Sequence, residues 1–123
     1  MKKTISTIVA AAVLATPAVA GAKTIGSESA RGDYATALAS GEANRPRWIK
    51  VTVTTSPRQS ADGNWNMVCS KGMGAGTKSG TIRGSGKFTR RLKMPMRSPD
   101  SCTVSALGSL SGGGSIRVTL TAG

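Results

Sequence analysis

Asn64-Trp65-Asn66-Met67-Val68-Cys69 alternates polar and apolar side chains, and Cys102-Thr103-Val104-Ser105-Ala106 does the same. In an extended chain successive side chains point to opposite faces. Trp65, Met67 and Cys69 therefore share one face, and Cys102, Val104 and Ala106 share another. Both stretches read as interiors of half-buried β-strands. Cys69 and Cys102 are the only two cysteines.

The same period recurs outward from this stretch. Trp48–Thr55 places Ile49, Val51 and Val53 on one face and Trp48, Lys50, Thr52 and Thr54 on the other. Ser56-Pro57 stops that strand, and Ser60-Ala61-Asp62-Gly63-Asn64 reads as a turn, with Asp-Gly as the reversal. Lys87–Met94 is a further strand, with Phe88, Leu92 and Met94 on the apolar face. Arg90 falls on that face too, which calls for either a bulge or an edge position where it reaches solvent. Ile116, Val118 and Leu120 mark a last strand that pairs as a hairpin with the Cys102 strand. Tyr34–Ser40 suits a short helix or a first edge strand, and the β-rich chain after it favours the strand. Lys71–Gly86, rich in glycine, reads as a flexible connection with a short strand at Thr81–Arg83.

The N-terminus indicates compartment. Met1-Lys2-Lys3-Thr4 is a positive n-region, Ile5–Leu14 an apolar h-region, and Ala18-Val19-Ala20 a small-x-small cleavage signal. Residues 1–20 are thus expected to be a signal peptide cleaved near Ala20, 21–33 a flexible lead-in, and 34–123 the folded domain. The apolar run is shorter than the roughly 20 residues of a spanning helix, so no transmembrane segment is expected after cleavage and the product is secreted. In an oxidising compartment the even pair Cys69 and Cys102 reads as a disulfide. Closing so long a loop is worth roughly 3.5–4 kcal/mol in the chain-entropy model. The contribution matters because 38% of residues are apolar and the aromatics are only Tyr34, Trp48, Trp65 and Phe88.

Short alternating strands separated by Gly and Pro turns imply an all-β fold, an antiparallel β-sandwich of about six or seven strands with one disulfide. Trp65 on the cysteine face resembles the buried tryptophan beside the disulfide of immunoglobulin domains, so an immunoglobulin-like architecture is expected. In those domains the tryptophan lies on a different strand from the first cysteine, so only the architecture carries over. The ordered series Trp65-x-x-x-Cys69, Leu92-x-Met94-Pro95, Cys102-x-Val104-x-Ala106 and Val118-x-Leu120 also resembles small exported proteins of actinobacteria, mostly uncharacterised. That resemblance, over residues 46–123, implies a secreted β-domain and no particular activity.

The chain has no histidine, which removes Ser-His, Cys-His and histidine-metal chemistry. Its carboxylates are Glu28, Asp33, Glu42, Asp62 and Asp100, and the last two fall where turns favour Asp. Only the pair Asp62 and Asp100 suggests acid–base work; no enzyme, cofactor or metal is expected. Charge is the functional lead. The chain carries 17 Lys+Arg against 5 Asp+Glu, net +12. No acid lies between Gly63 and Pro99, whereas Lys71, Lys78, Arg83, Lys87, Arg90, Arg91, Lys93 and Arg97 do. Lys87, Arg90, Arg91, Lys93 and Arg97 are the candidate anion-binding residues, with an anionic polymer or cell-surface component as partner. The competing reading is a basic face that merely keeps the domain soluble. Few exposed aromatics are expected, which argues against sequence-specific nucleic-acid binding. A secreted protease inhibitor offering Lys93-Met94-Pro95-Met96 as an exposed loop is the alternative. Trp48, on a polar strand face, is either a ligand platform or a covered side chain.

Overall fold

A computed structural model describes residues 22–123. The expected signal peptide, residues 1–20, lies outside the described residues. The strands are β1 Lys23–Asp33, β2 Thr36–Asn44, β3 Ile49–Ser56, β4 Ser60–Lys71, β5 Gly74–Ser85, β6 Lys87–Arg91, β7 Ser101–Leu110 and β8 Gly113–Ala122. They form two antiparallel four-stranded sheets, ordered β1-β8-β3-β6 and β2-β7-β4-β5.

The pairing is nested. β1 lies on β8, β2 on β7, β3 on β6 and β4 on β5. The chain is one long hairpin, tipped at Gly72-Met73, rolled until β3 met β8 and β4 met β7. This is the jelly-roll way of making a sandwich. The expected all-β sandwich with one disulfide is what the chain forms, with eight strands among the described residues in place of about six or seven. An immunoglobulin domain ties its two sheets together through its disulfide. Here Cys69 and Cys102 stand directly opposite each other on neighbouring strands of one sheet, Cα atoms 4.0 Å apart.

Two segments read as irregular are strands. Lys23–Asp33 is not a flexible lead-in: it is the edge strand β1, laddered to β8 from Lys23 to Asp33. Its small polar residues show no alternation because an edge strand needs only a backbone partner. Gly74–Ser85 is not a flexible connection but β5, the other partner of β4. Its glycines are sockets for large side chains: Pro95 and Met96 lie over Gly76, the Trp65 indole over Gly80 and the Phe88 ring over Gly84. Gly72 has φ +59° at the first central position of the two-residue β4–β5 turn, the place where a type II′ hairpin requires glycine. Asp62-Gly63 is not a turn either. It lies inside β4, where a Cβ at Gly63 would run into the Leu107 carbonyl.

The core is aliphatic. Ile49, Val51 and Val53 from β3 and Ile116, Val118 and Leu120 from β8 face Trp65, Met67 and Cys69 from β4 and Cys102, Val104 and Ala106 from β7, all buried. Along one side the edge strands β1 and β2 close the sandwich: a Cβ at Gly26 would strike the Ser40 carbonyl, and one at Gly41 the Ile25 carbonyl. Antiparallel order sends alternate turns to opposite ends. At one end Gln59 binds them together: its Nε2 donates to the Gly113 carbonyl (2.9 Å), its Oε1 accepts from Gly112 N–H (2.8 Å), and its carbonyl accepts from Gly86 N–H (3.1 Å). At the other end Asp100 does this work. Its N–H donates to the Ser70 carbonyl (2.8 Å), its carbonyl accepts from Arg45 N–H (2.9 Å), and its Oδ2 accepts from Gly72 N–H (2.8 Å).

Replacing Cys69 and Cys102 together by alanine is expected to lower unfolding free energy by about 3–4 kcal/mol, read from urea denaturation. An unchanged midpoint would show that the bond does not carry the fold. Gly41→Ala is expected to destabilise by about 1–3 kcal/mol in the same measurement, since the added methyl meets the Ile25 carbonyl, which is backbone and cannot swing aside.

Candidate functional site

Alternation along β3, β6 and β8 decides which charges meet. Residues 49, 51 and 53 and residues 116, 118 and 120 go inward, so Lys50, Thr52 and Thr54 and Arg117, Thr119 and Thr121 go outward. Register then sets the neighbours. Arg117, Thr54 and Lys87 form one outward row across the sheet, Thr119, Thr52 and Thr89 the second, and Thr121, Lys50 and Arg91 the third. Ser29 and Ser27 on β1 extend the first two rows. Strands are about 4.8 Å apart and residues two positions along a strand about 6.6 Å. The face therefore carries cation rows roughly 13 Å apart with a hydroxyl row between them.

The hydroxyls are linked. Ser27 Oγ and Thr119 Oγ1 are 3.1 Å apart, Thr52 Oγ1 and Thr89 Oγ1 3.0 Å, and Arg117 Nε donates to Ser29 Oγ (3.2 Å). Arg31 adds a further cation at one margin, in register with Ser115. Among the described residues the single carboxylate of this outward set is Asp33, at the far corner opposite Gly113. The outward set of the other sheet is different: among the described residues Glu42, Asp62 and Arg83 are its charged members, beside Ser, Thr, Asn, Leu38, Leu107, Val68 and Ala75.

The five candidate anion-binding residues are divided by the fold. Lys87 and Arg91 stand on the outward face. Lys93 is exposed but follows the last ladder bond, from Leu92 N–H to the Ile49 carbonyl (2.9 Å). Arg97 lies in the long β6–β7 connection and lines a cleft at the Asp100 end. Arg90 turns the other way. β6 is the sheet edge, so Arg90 leaves the apolar side, covers the Phe88 ring at 4.9 Å and donates Nη2 to the Arg83 carbonyl of β5 (2.9 Å). It is a strut between the two sheets.

Lys50 and Arg117 complete the face, although the sequence separates them from the acid-free tract. The signal for them is a repeated pattern: Lys50-x-Thr52-x-Thr54, Lys87-x-Thr89-x-Arg91 and Arg117-x-Thr119-x-Thr121. Trp48 does not offer a free ring. The Lys50 ammonium lies 4.6 Å from its centroid and Gly123 packs against the indole. Phe88 is likewise held between Gly84 and Arg90. Met94, Pro95 and Met96 are half-buried, the two methionines against the core, so this segment is packed down and not presented as a protruding loop. Asp62 and Asp100 lie near opposite ends of β4, about 25 Å apart along a strand of this rise, far outside the reach of a carboxylate pair. Among the described residues no three His, Cys, Asp or Glu side chains gather as a metal site, and no helix is long and apolar enough to cross a membrane.

Comparison with known protein families finds no matching family model, and comparison with curated proteins finds no similar sequence.

Arg90→Ala is expected to lower stability by about 1 kcal/mol, through the lost ring contact and carbonyl bond. Arg91→Ala, with only its charge on a solvated face, is expected to change it by less than about 0.5 kcal/mol. Equal effects in chemical denaturation would contradict the assignment of Arg90 as a strut.

Proposed function

We propose that the protein is a non-enzymatic, exported β-sandwich that holds an anionic polymer on the outward face of the β1-β8-β3-β6 sheet. The observation that carries the reading is segregation of charge. Lys50, Lys87, Arg91, Arg117 and Arg31 share one flat face with one corner carboxylate, while the other sheet presents a nearly balanced face. Of the two sheet faces only this one carries a cation excess, which solubility alone does not require.

Cation rows flanking a hydroxyl row suit a chain that repeats anionic groups and also offers hydroxyl or ether oxygens, as a sulfated or uronic polysaccharide does. Threonine hydroxyls donate and accept, so they adapt to such a chain without imposing one sequence. The Phe88 ring is turned inward and the Trp48 ring is half-buried against Lys50 and Gly123, so this face lacks the row of exposed rings that base stacking uses. Binding is therefore dominated by charge and ion release. Export is supported by the sequence of residues 1–20 and by the disulfide.

Heparin is a suitable probe. Affinity is expected to fall steeply with salt, and the slope of log affinity against log salt to flatten by roughly 0.7–0.9 for each face cation removed, as for other polyanions. The deciding comparison is Lys50→Gln/Arg91→Gln against Lys71→Gln/Lys78→Gln, which remove the same charge on and off the face. Equal losses from both pairs would reduce the interaction to bulk charge and end the proposal.

A further inference from the structure

We propose a second site, in the cleft at the Asp100 end of the sandwich, for a small amphiphilic anion: a phosphate or carboxylate group on a short apolar stem. The cleft is open and encloses about 850 Å³, within the range of small-molecule sites. Arg45, Arg47 and Arg97 line it, and all three are exposed. Its one carboxylate, Asp100, is turned to the backbone, accepting from Gly72 N–H at 2.8 Å. Guanidinium groups are weakly hydrated and present paired donors that match carboxylate and phosphate oxygens.

Below this rim the wall is apolar. Met94 and Met96 line the cleft and pack on the core. Thioether side chains are flexible and polarisable, so they form a surface that adapts to a guest. A cationic rim above an adaptable apolar floor selects a molecule with both halves. An inorganic ion would leave the methionines bare, and a neutral hydrocarbon would leave the arginines unused.

The backbone gives an independent reason. Arg45 has φ +47° and Ser98 φ +45°, and both line this cleft. The left-handed region is unfavourable for side chains other than glycine, asparagine and aspartate. Strained backbone of this kind collects at ligand sites, where the surroundings fix it. Of the three such residues among the described ones, Tyr34, Arg45 and Ser98, two line this cleft, and position 45 carries a guanidinium at its rim. The site shares no residue with the polymer-binding face, so either proposal can fail without the other.

The test is NMR of the protein carrying 13C-methyl methionine, with octyl phosphate kept monomeric as the probe. Octyl phosphate is expected to move the Met94 and Met96 methyl resonances saturably and to leave buried Met67 in place. Inorganic phosphate and octanol are expected to bind at least about tenfold more weakly, because each meets only half of the site. Arg97→Gln and Arg45→Gly are each expected to weaken octyl phosphate about tenfold, the scale of one charge-assisted contact. Arg45→Gly should do so without lowering the melting temperature, since it relieves the left-handed arginine. Vesicles containing phosphatidic acid distinguish the source. Broadening of the same two resonances assigns the anion to a membrane lipid, and response to octyl phosphate alone assigns it to a free molecule. Stationary Met94 and Met96 methyls in octyl phosphate, or equal shifts with octanol or in both arginine variants, would overturn the proposal.

Discussion

The ladder between β4 and β7 sets the rest of the structure, and the Cys69–Cys102 bond holds it in register. These are the central strands of their sheet. A slip of one residue would turn Trp65, Met67 and Cys69 to solvent and bring Asn64, Asn66 and Val68 inward. The bond forbids that slip at one pair and so fixes every pair along both strands. It also reaches beyond its own sheet. The chain enclosed between the cysteines holds β5, crosses to the other sheet as β6, and returns through residues 92–100. A crosslink within one sheet thereby limits how far the other sheet's edge can stray.

The core is built from small and β-branched side chains, and its few large ones are accommodated by glycine. Trp65 lies over Gly80, Phe88 over Gly84, Met96 over Gly76 and Trp48 against Gly123. A bulky group on one strand and an absent side chain on its neighbour keep the local volume near what the sheet spacing allows. At these positions the missing Cβ creates room, and the chain there is as regular as elsewhere. Glycine content read as flexibility therefore points the wrong way in β5.

Alternation exposed the strands that bury one face: β3, β4, β7 and β8 are all legible as period-two runs. The edge strands β1 and β5 are not, because a ladder on one side and glycine sockets on the other leave no apolar period to detect. The disulfide could be read as a pair but not placed, since alternation tells which face a residue takes and not which strand lies beside it. The same limit applies to the site. Lys87 and Arg91 follow from the period of their own strand, whereas Arg117 reaches the row of Lys87 only because Thr54 lies between them in register. Arg90 was the local conflict, a charge on an apolar face, and the edge position of β6 resolves it.

Nested pairing makes the two ends of the sandwich unequal. Every connection from an odd strand to the next crosses between the sheets at the Gln59 end, where the links are short and Gln59, through its side-chain amide and its main-chain carbonyl, joins three of them. The β2–β3 and β6–β7 connections fall at the other end, and the latter is the longest in the domain. Such a length cannot lie flat across the end, so it folds over the core edge and leaves Met94 and Met96 between core and solvent. An interior filled by interlocking side chains has no cavity to offer a ligand. The two proposed sites accordingly lie on an outward sheet face and at the end that the long connection leaves open, and basic side chains line both.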